Sequence, residues 1–138
     1  YTEGMDNTVL QIGIAKDDEV TFDLPEDYQD YGKNVAAYYF FLFPNMMFNF
    51  YPWGLSVNIV KPITPTKTKI QYLTYVWKEE LMEKGAGSNL DKVELEDEEI
   101  VEAVQKGVKS RAYDRGRYSP KREIGVHHFH LLLQKYYK

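Results

Sequence analysis

Between Thr8 and Trp77 the apolar positions recur at every second residue, whereas beyond Asn89 they recur at helical spacing, and this change of period splits the chain into a sheet and a helical part. Leu10, Ile12 and Ile14 alternate through 8–16, the acidic pair Asp17 and Asp18 supplies a turn, and EVTFDL (19–24) is predicted to return as the second arm of a hairpin. A polar loop, 25–34, leads into VAAYYFFLF (35–43), a run apolar on both faces and therefore a strand that is central or covered on both sides. Pro44 and Asn45 break it, MMFNFY (46–51) resumes as strand, and Pro52, Trp53 and Gly54 turn the chain. LSVNIVK (55–61) alternates, PITPT (62–66) is a proline-fixed turn, and 67–80 sets Ile70, Tyr72, Thr74 and Val76 against Leu73, Tyr75 and Trp77. The expected result is a long antiparallel meander.

EKGAGSN (83–89) is the flexible joint at which the period changes. Two helices are predicted after it: one from about Asp97 to Ala112, the other from about Lys121 to Tyr137 with Ser119 as N-cap and Pro120 at the first helical position. Strands followed by a long C-terminal helix give an α+β fold in which the helix covers one face of a curved antiparallel sheet. A cavity between sheet and helix is where a ligand would sit.

The stretch LEDEEIVEAVQKG (95–107) crowds acids before an apolar stripe. At about 100° per residue, Ile100, Val101, Val104 and Val108 fall within about 60° of Asp97, whereas Glu98, Glu99 and Glu102 fall about 100–200° away. The three glutamates read as solvated carboxylates that complement the helix dipole. Asp97 reads either as an N-cap that satisfies free N–H groups or as an interior carboxylate that needs a partner or a metal.

Composition narrows the function. A chain of 138 residues is large enough to bury a core, and 12 Tyr, 7 Phe and 2 Trp are far from a disordered profile. A net charge of −4 without a basic run gives no nucleic-acid surface. The absence of cysteine excludes disulfides, a cysteine zinc site and a thiolate nucleophile, and fits a reducing, cytoplasmic setting. The longest apolar run is about half of a membrane span, so no membrane association is expected. The chain opens on Tyr1 rather than Met, which fits a piece of something longer.

All three histidines lie in GVHHFHLLLQKYY (125–137). Helical spacing places Val126, Phe129, His130, Leu133 and Tyr137 on one face, making His130 a core histidine with a hydrogen-bond partner, while His127 and His128 point sideways. His127 and His130, spaced i, i+3, could approach one metal, but a zinc site needs a third ligand. In FPNMMFNFYPWG (43–54), Phe48 and Phe50 share one strand face and Met47, Asn49 and Tyr51 the other. These side chains are core or interface residues, or the wall of a pocket for an aromatic or quaternary-ammonium substrate, with Met47, Phe48, Asn49 and Phe50 as the candidate lining. No GxGxxG, P-loop, GxSxG, HExxH or triad spacing occurs.

Two stretches together, FPNMMFNFYPWGLSVNIVKPITPTKTKI (43–70) and LEDEEIVEAVQKGVKSRAYDRGRYSPKREIGVHHFHLLLQKYY (95–137), resemble the catalytic domain of Rieske non-haem iron oxygenases. That family includes the ring-hydroxylating dioxygenases and the choline and carnitine monooxygenases. The resemblance implies a START-like helix-grip domain, with residues 1–138 as a single domain forming the C-terminal part of the catalytic domain. It implies a mononuclear Fe(II) held by two histidines and one carboxylate, with open positions for O2 beside the substrate. The residue matching the carboxylate is Asp97. It also implies a [2Fe–2S] Rieske cluster, a reductase or ferredoxin as electron donor, and a trimeric homo-oligomer. The HxxxxH pair that supplies the family's iron-binding histidines is missing, and the cluster's cysteines have no counterpart. His127, His128 and His130 match the family's HHFH helix, not its iron ligands. The expectation is thus a part of a longer oxygenase that hydroxylates an aromatic or quaternary-ammonium small molecule, inactive and without bound cofactor on its own. The other reading is a non-catalytic START-like module that binds an apolar ligand.

Overall fold

The computed structural model describes residues 1–16 and 19–137. Six strands form one antiparallel sheet in sequence order: β1 (Thr2–Met5), β2 (Thr8–Ile14), β3 (Val35–Leu42), β4 (Met46–Tyr51), β5 (Gly54–Thr64) and β6 (Lys67–Val76). Two helices follow, α1 (Leu90–Val108) and α2 (Ile124–Tyr136). The sheet is curved and the helices lie on one side of it, the α+β helix-grip arrangement expected from the pattern.

The strands follow the alternation closely, and β4 starts and stops where the sequence places it. Differences lie at the margins. The turn at Asp17 and Asp18 falls outside the described residues. Glu19–Leu24 does not form a hairpin arm; it runs as irregular chain that bonds to the start of β3, Phe22 N–H to Val35 C=O at 2.8 Å. Its Phe22 and Leu24 cover the cluster of Leu10, Ile12, Val35 and Tyr38, so the hydrophobic pattern there marks a strap, not a strand. β5 runs through Pro62 and the turn is confined to Pro65 and Thr66; on this outer hairpin Pro62 tolerates the missing N–H.

Direct cross-strand pairs point to the same side, so the register sorts the sheet into two faces. One row reads Val9, Phe41, Met47, Asn58 and Tyr72 from β2 to β6; the next reads Gln11, Tyr39, Asn49, Ser56 and Thr74. The opposite face carries Leu10, Phe40, Phe48, Val57 and Leu73, beside Ile12, Tyr38, Phe50, Leu55 and Tyr75.

A second cluster closes the sheet end: Ala37, Tyr51 and Trp53, packed by Tyr39, Leu81, Ala86 and Leu90. Tyr51 and Trp53 stack at 5.1 Å, and the Trp53 indole N–H donates to Ala86 C=O at 3.3 Å. The joint 83–89 passes hard against this stack. At Gly87, with φ of 79°, a Cβ would lie 2.8 Å from the Tyr51 ring, so both the conformation and the approach require glycine.

Candidate functional site

α2 is positioned by aromatic packing. Phe129 meets Phe41 at 5.3 Å and Phe43 at 6.0 Å, and Tyr136 stacks on Phe43 at 5.1 Å. Leu132 is buried, and a Cβ on Gly125 would reach 3.0 Å from Val9, marking a close approach of helix to sheet. His128 Nε2 donates to Asp6 C=O at 3.0 Å and the Tyr136 hydroxyl donates to Asn7 at 3.1 Å, tying the helix to the β1–β2 turn. The packed face is therefore Gly125, His128, Phe129, Leu132 and Tyr136. Of the predicted face Phe129 packs against the sheet and Leu133 is half-buried, whereas Val126, His130 and Tyr137 are exposed. His130 is hydrogen-bonded, to the Tyr118 hydroxyl, but it is not a core residue. Ser119 is not the N-cap either: α2 begins at Ile124 after Glu123, whose carboxylate accepts the Ser119 N–H at 2.6 Å.

α1 starts at Leu90, seated beside the Tyr51–Trp53 stack, and not near Asp97. Its N-cap is Asn89, in the left-handed region with φ of 56°. Asp97 lies inside the helix, which removes the N-capping role considered for it. Nor is Asp97 drawn into a dry core. It is exposed, and the stripe around it is open as well, with Ile100 at 61%, Val101 at 63% and Val104 at 57% exposure. Glu98, expected to be fully solvated, is held by the sheet: the Tyr72 hydroxyl donates to Glu98 Oε1 at 3.3 Å.

The floor between the helices follows from the register. The row that begins at Val9 and Phe41 under α2 ends at Tyr72 under α1, so Met47 and Asn58 lie between, flanked by Tyr39, Asn49 and Ser56 of the next row. The Ser56 hydroxyl donates to Asn58 at 3.1 Å. Of the four candidate pocket residues, Met47 and Asn49 thus lie on the helix side and Phe48 and Phe50 on the other. Phe50 instead joins Phe22, Leu55, Tyr75 and Trp77 around a cavity of about 480 Å³ at the sheet end. Sequence reasoning singled out neither Asn58 nor the Tyr72–Glu98 contact; the signal was cross-strand pairing, which alternation alone does not supply.

The acids of α1 charge this floor. Burial, reinforced by Glu98 and Glu94 and more weakly by Asp97, pushes the Tyr72 phenol up to about 12. Burial also raises Tyr51 and Tyr39, whose rings meet edge-on at 5.9 Å. Carboxylates beside neutral phenols and aromatic faces suit a cation. For a metal, Asp97 offers one hard oxygen donor of the kind Fe(II) accepts. Among the described residues no three His, Cys, Asp or Glu side chains come together to hold an ion, and the pair His127 and His130 gains no third ligand of those types. As a donor, Asp97 would supply a single carboxylate to such an ion. Among the described residues no helix is long and apolar enough to cross a membrane.

Residues 16–138 match the family described as the ring hydroxylating alpha subunit (catalytic domain). The chloroplastic choline monooxygenases of Arabidopsis thaliana and Atriplex hortensis are 39% and 40% identical, aligned over 70% and 75% of this chain. The carnitine monooxygenase oxygenase subunit of Escherichia coli K12 is 33% identical over 96% of it. The chain spans 24%, 25% and 37% of those three proteins. With nearly its whole length matched and the sheet, both helices and the acidic α1 in place, this chain belongs to the family of ring-hydroxylating oxygenase α-subunit catalytic domains.

Proposed function

We propose that residues 1–138 form one domain, the C-terminal part of the catalytic domain of an iron-dependent oxygenase that hydroxylates a small quaternary-ammonium molecule. The observation that carries this reading is Asp97, exposed on α1 next to the Glu98 that Tyr72 of the helix-side floor holds, in a chain whose relatives are named for choline and carnitine. Both compounds bear a trimethylammonium group. An aromatic ring is the second substrate class that the half-buried Tyr39 and Met47 surfaces accommodate.

In the complete α subunit Asp97 is the carboxylate ligand of a ferrous ion whose two histidines come from outside this chain. The bound ion supplies O2 activation, and a [2Fe–2S] Rieske cluster supplies electrons from a reductase or ferredoxin. The chain's own residues do the rest. The phenol faces and α1 carboxylates attract and orient the cationic head, Asn49 and Asn58 offer hydrogen bonds to a polar tail, and Met47 fills the apolar floor between them. Assembly of such subunits into a trimer and a cytoplasmic setting complete the proposal, although the choline relatives carry a chloroplast label in their names.

The test is product formation by the complete α subunit with ferrous iron, a reductase and a panel of trimethylammonium and aromatic compounds. Turnover of a trimethylammonium compound that vanishes in Asp97→Ala is expected. Ligand binding with no turnover of any panel member would instead favour a binding module.

A further inference from the structure

We infer that Tyr72 is the positioning residue for Asp97: its phenol ties the middle of α1 to the sheet through Glu98 and so sets where the neighbouring carboxylate stands. The inference rests on the reading of Asp97 as an iron ligand and adds the group that places it.

α1 hangs from a joint with three left-handed residues, Gly85, Gly87 and Asn89, at φ of 66°, 79° and 56°. Leu90 anchors its first turn in the Trp53 cluster. Farther along, apolar packing does not hold the helix down, since Ile100, Val101 and Val104 are all more than half exposed. At that point the sheet reaches up with Tyr72, whose hydroxyl donates to Glu98 at 3.3 Å. Tyr72 is a fixed post, because β6 pairs with β5 without interruption from Thr68 to Val76 and Tyr72 lies directly opposite Asn58. Adjacent helical residues differ by about 100° in direction, so holding Glu98 also sets the direction of Asp97. A phenol kept protonated stays a donor at every physiological pH.

Amide hydrogen exchange on this chain and ferrous-ion titration of the complete α subunit test the inference together. Tyr72→Phe should speed exchange over residues 94–104 several-fold while leaving the strands unchanged. It should weaken iron binding by about 10- to 100-fold, the usual effect of removing a support behind a ligand. The melting temperature should stay close to that of the wild type. Glu98→Gln, whose amide oxygen still accepts the phenol proton, should behave like the wild type in both measurements, and Glu98→Ala like Tyr72→Phe. Unchanged exchange in Tyr72→Phe, or faster exchange with unchanged iron affinity, overturns the positioning role. Undiminished iron binding in Asp97→Ala overturns the ligand reading instead, whatever Tyr72 does to exchange.

Discussion

Asp30 is a carboxylate with almost no solvent contact, at 2% exposure, on an otherwise polar loop. Lys33 Nζ donates to one of its oxygens at 2.7 Å and the Tyr38 hydroxyl donates to the other at 3.0 Å. The Lys33 contact lowers its pKa most, burial opposes, and Tyr38 lowers it further. A folded-state pKa below the unfolded one gives stability that is fully present above the unfolded value and lost as the pH falls through the folded value. As the pH falls below the unfolded carboxylate value of about 4, the urea midpoint of the wild type should therefore drop more steeply than that of Asp30→Asn. Equal slopes would mean that the contacts do not bias ionisation. Gly54 is a second site where one residue decides the local structure: a Cβ there would overlap the Tyr75 carbonyl oxygen and sit 3.2 Å from Val76 Cα. Gly54→Ala should cost about 1–3 kcal/mol in chemical denaturation. Neither site stands out in the sequence, because a polar loop and a PWG turn carry no sign of a buried carboxylate or of a backbone contact with a strand twenty residues away. Asp97 did stand out, through helical phase, although the structure leaves it exposed on the helix and not in a core.

At the scale of elements, strands were easier to read than helices. Alternation fixes which residues share a face, so β4 and the long β5–β6 hairpin follow directly from the pattern. Helical phase is weaker where apolar residues are consecutive. Leu131, Leu132 and Leu133 allow several faces, and the one chosen is signalled by Gly125, whose missing side chain lets α2 approach Val9. The start of α1 was legible in principle: residues 90–96 are mostly good helix formers, with Lys92 and Glu96 paired at 3.8 Å, but the acid run drew attention to Asp97. The docked face of α2 carries a clear energetic consequence. Phe129→Ala removes ring contacts with both Phe41 and Phe43 and should destabilise by about 2–4 kcal/mol. His130→Ala, on the exposed side, should stay within about 0.5 kcal/mol. Urea denaturation monitored by circular dichroism distinguishes the two; a large loss at His130 would restore the face predicted from spacing.

Across the whole molecule the two sides of the sheet have different chemistry. The middle of the side away from the helices is apolar, with Phe48, Val57 and Leu73 in register, and turns polar at Lys61, Lys69 and Gln71 of the outer hairpin, whereas the helix side mixes tyrosines with Asn49, Ser56 and Asn58 beneath an acidic helix. That contrast, together with a net charge of −4, turns the proposed substrate preference into an electrostatic question. Cation–π attraction contributes about 0.5–2 kcal/mol, so a trimethylammonium compound should bind the complete α subunit about two- to thirtyfold more tightly than its uncharged tert-butyl isostere, which has nearly the same shape. Carboxylates on an exposed helix act through solvent, where the screening length shrinks from about 30 Å at 0.01 M salt to about 3 Å at 1 M. Salt should therefore erode the ammonium's advantage without abolishing the part due to direct contact with the phenol faces. Calorimetric titration of both compounds at low and high salt separates the two contributions. Equal affinities at both salt concentrations would show that neither the tyrosines nor Glu94, Asp97 and Glu98 read charge, and the floor would then be better suited to a neutral ring.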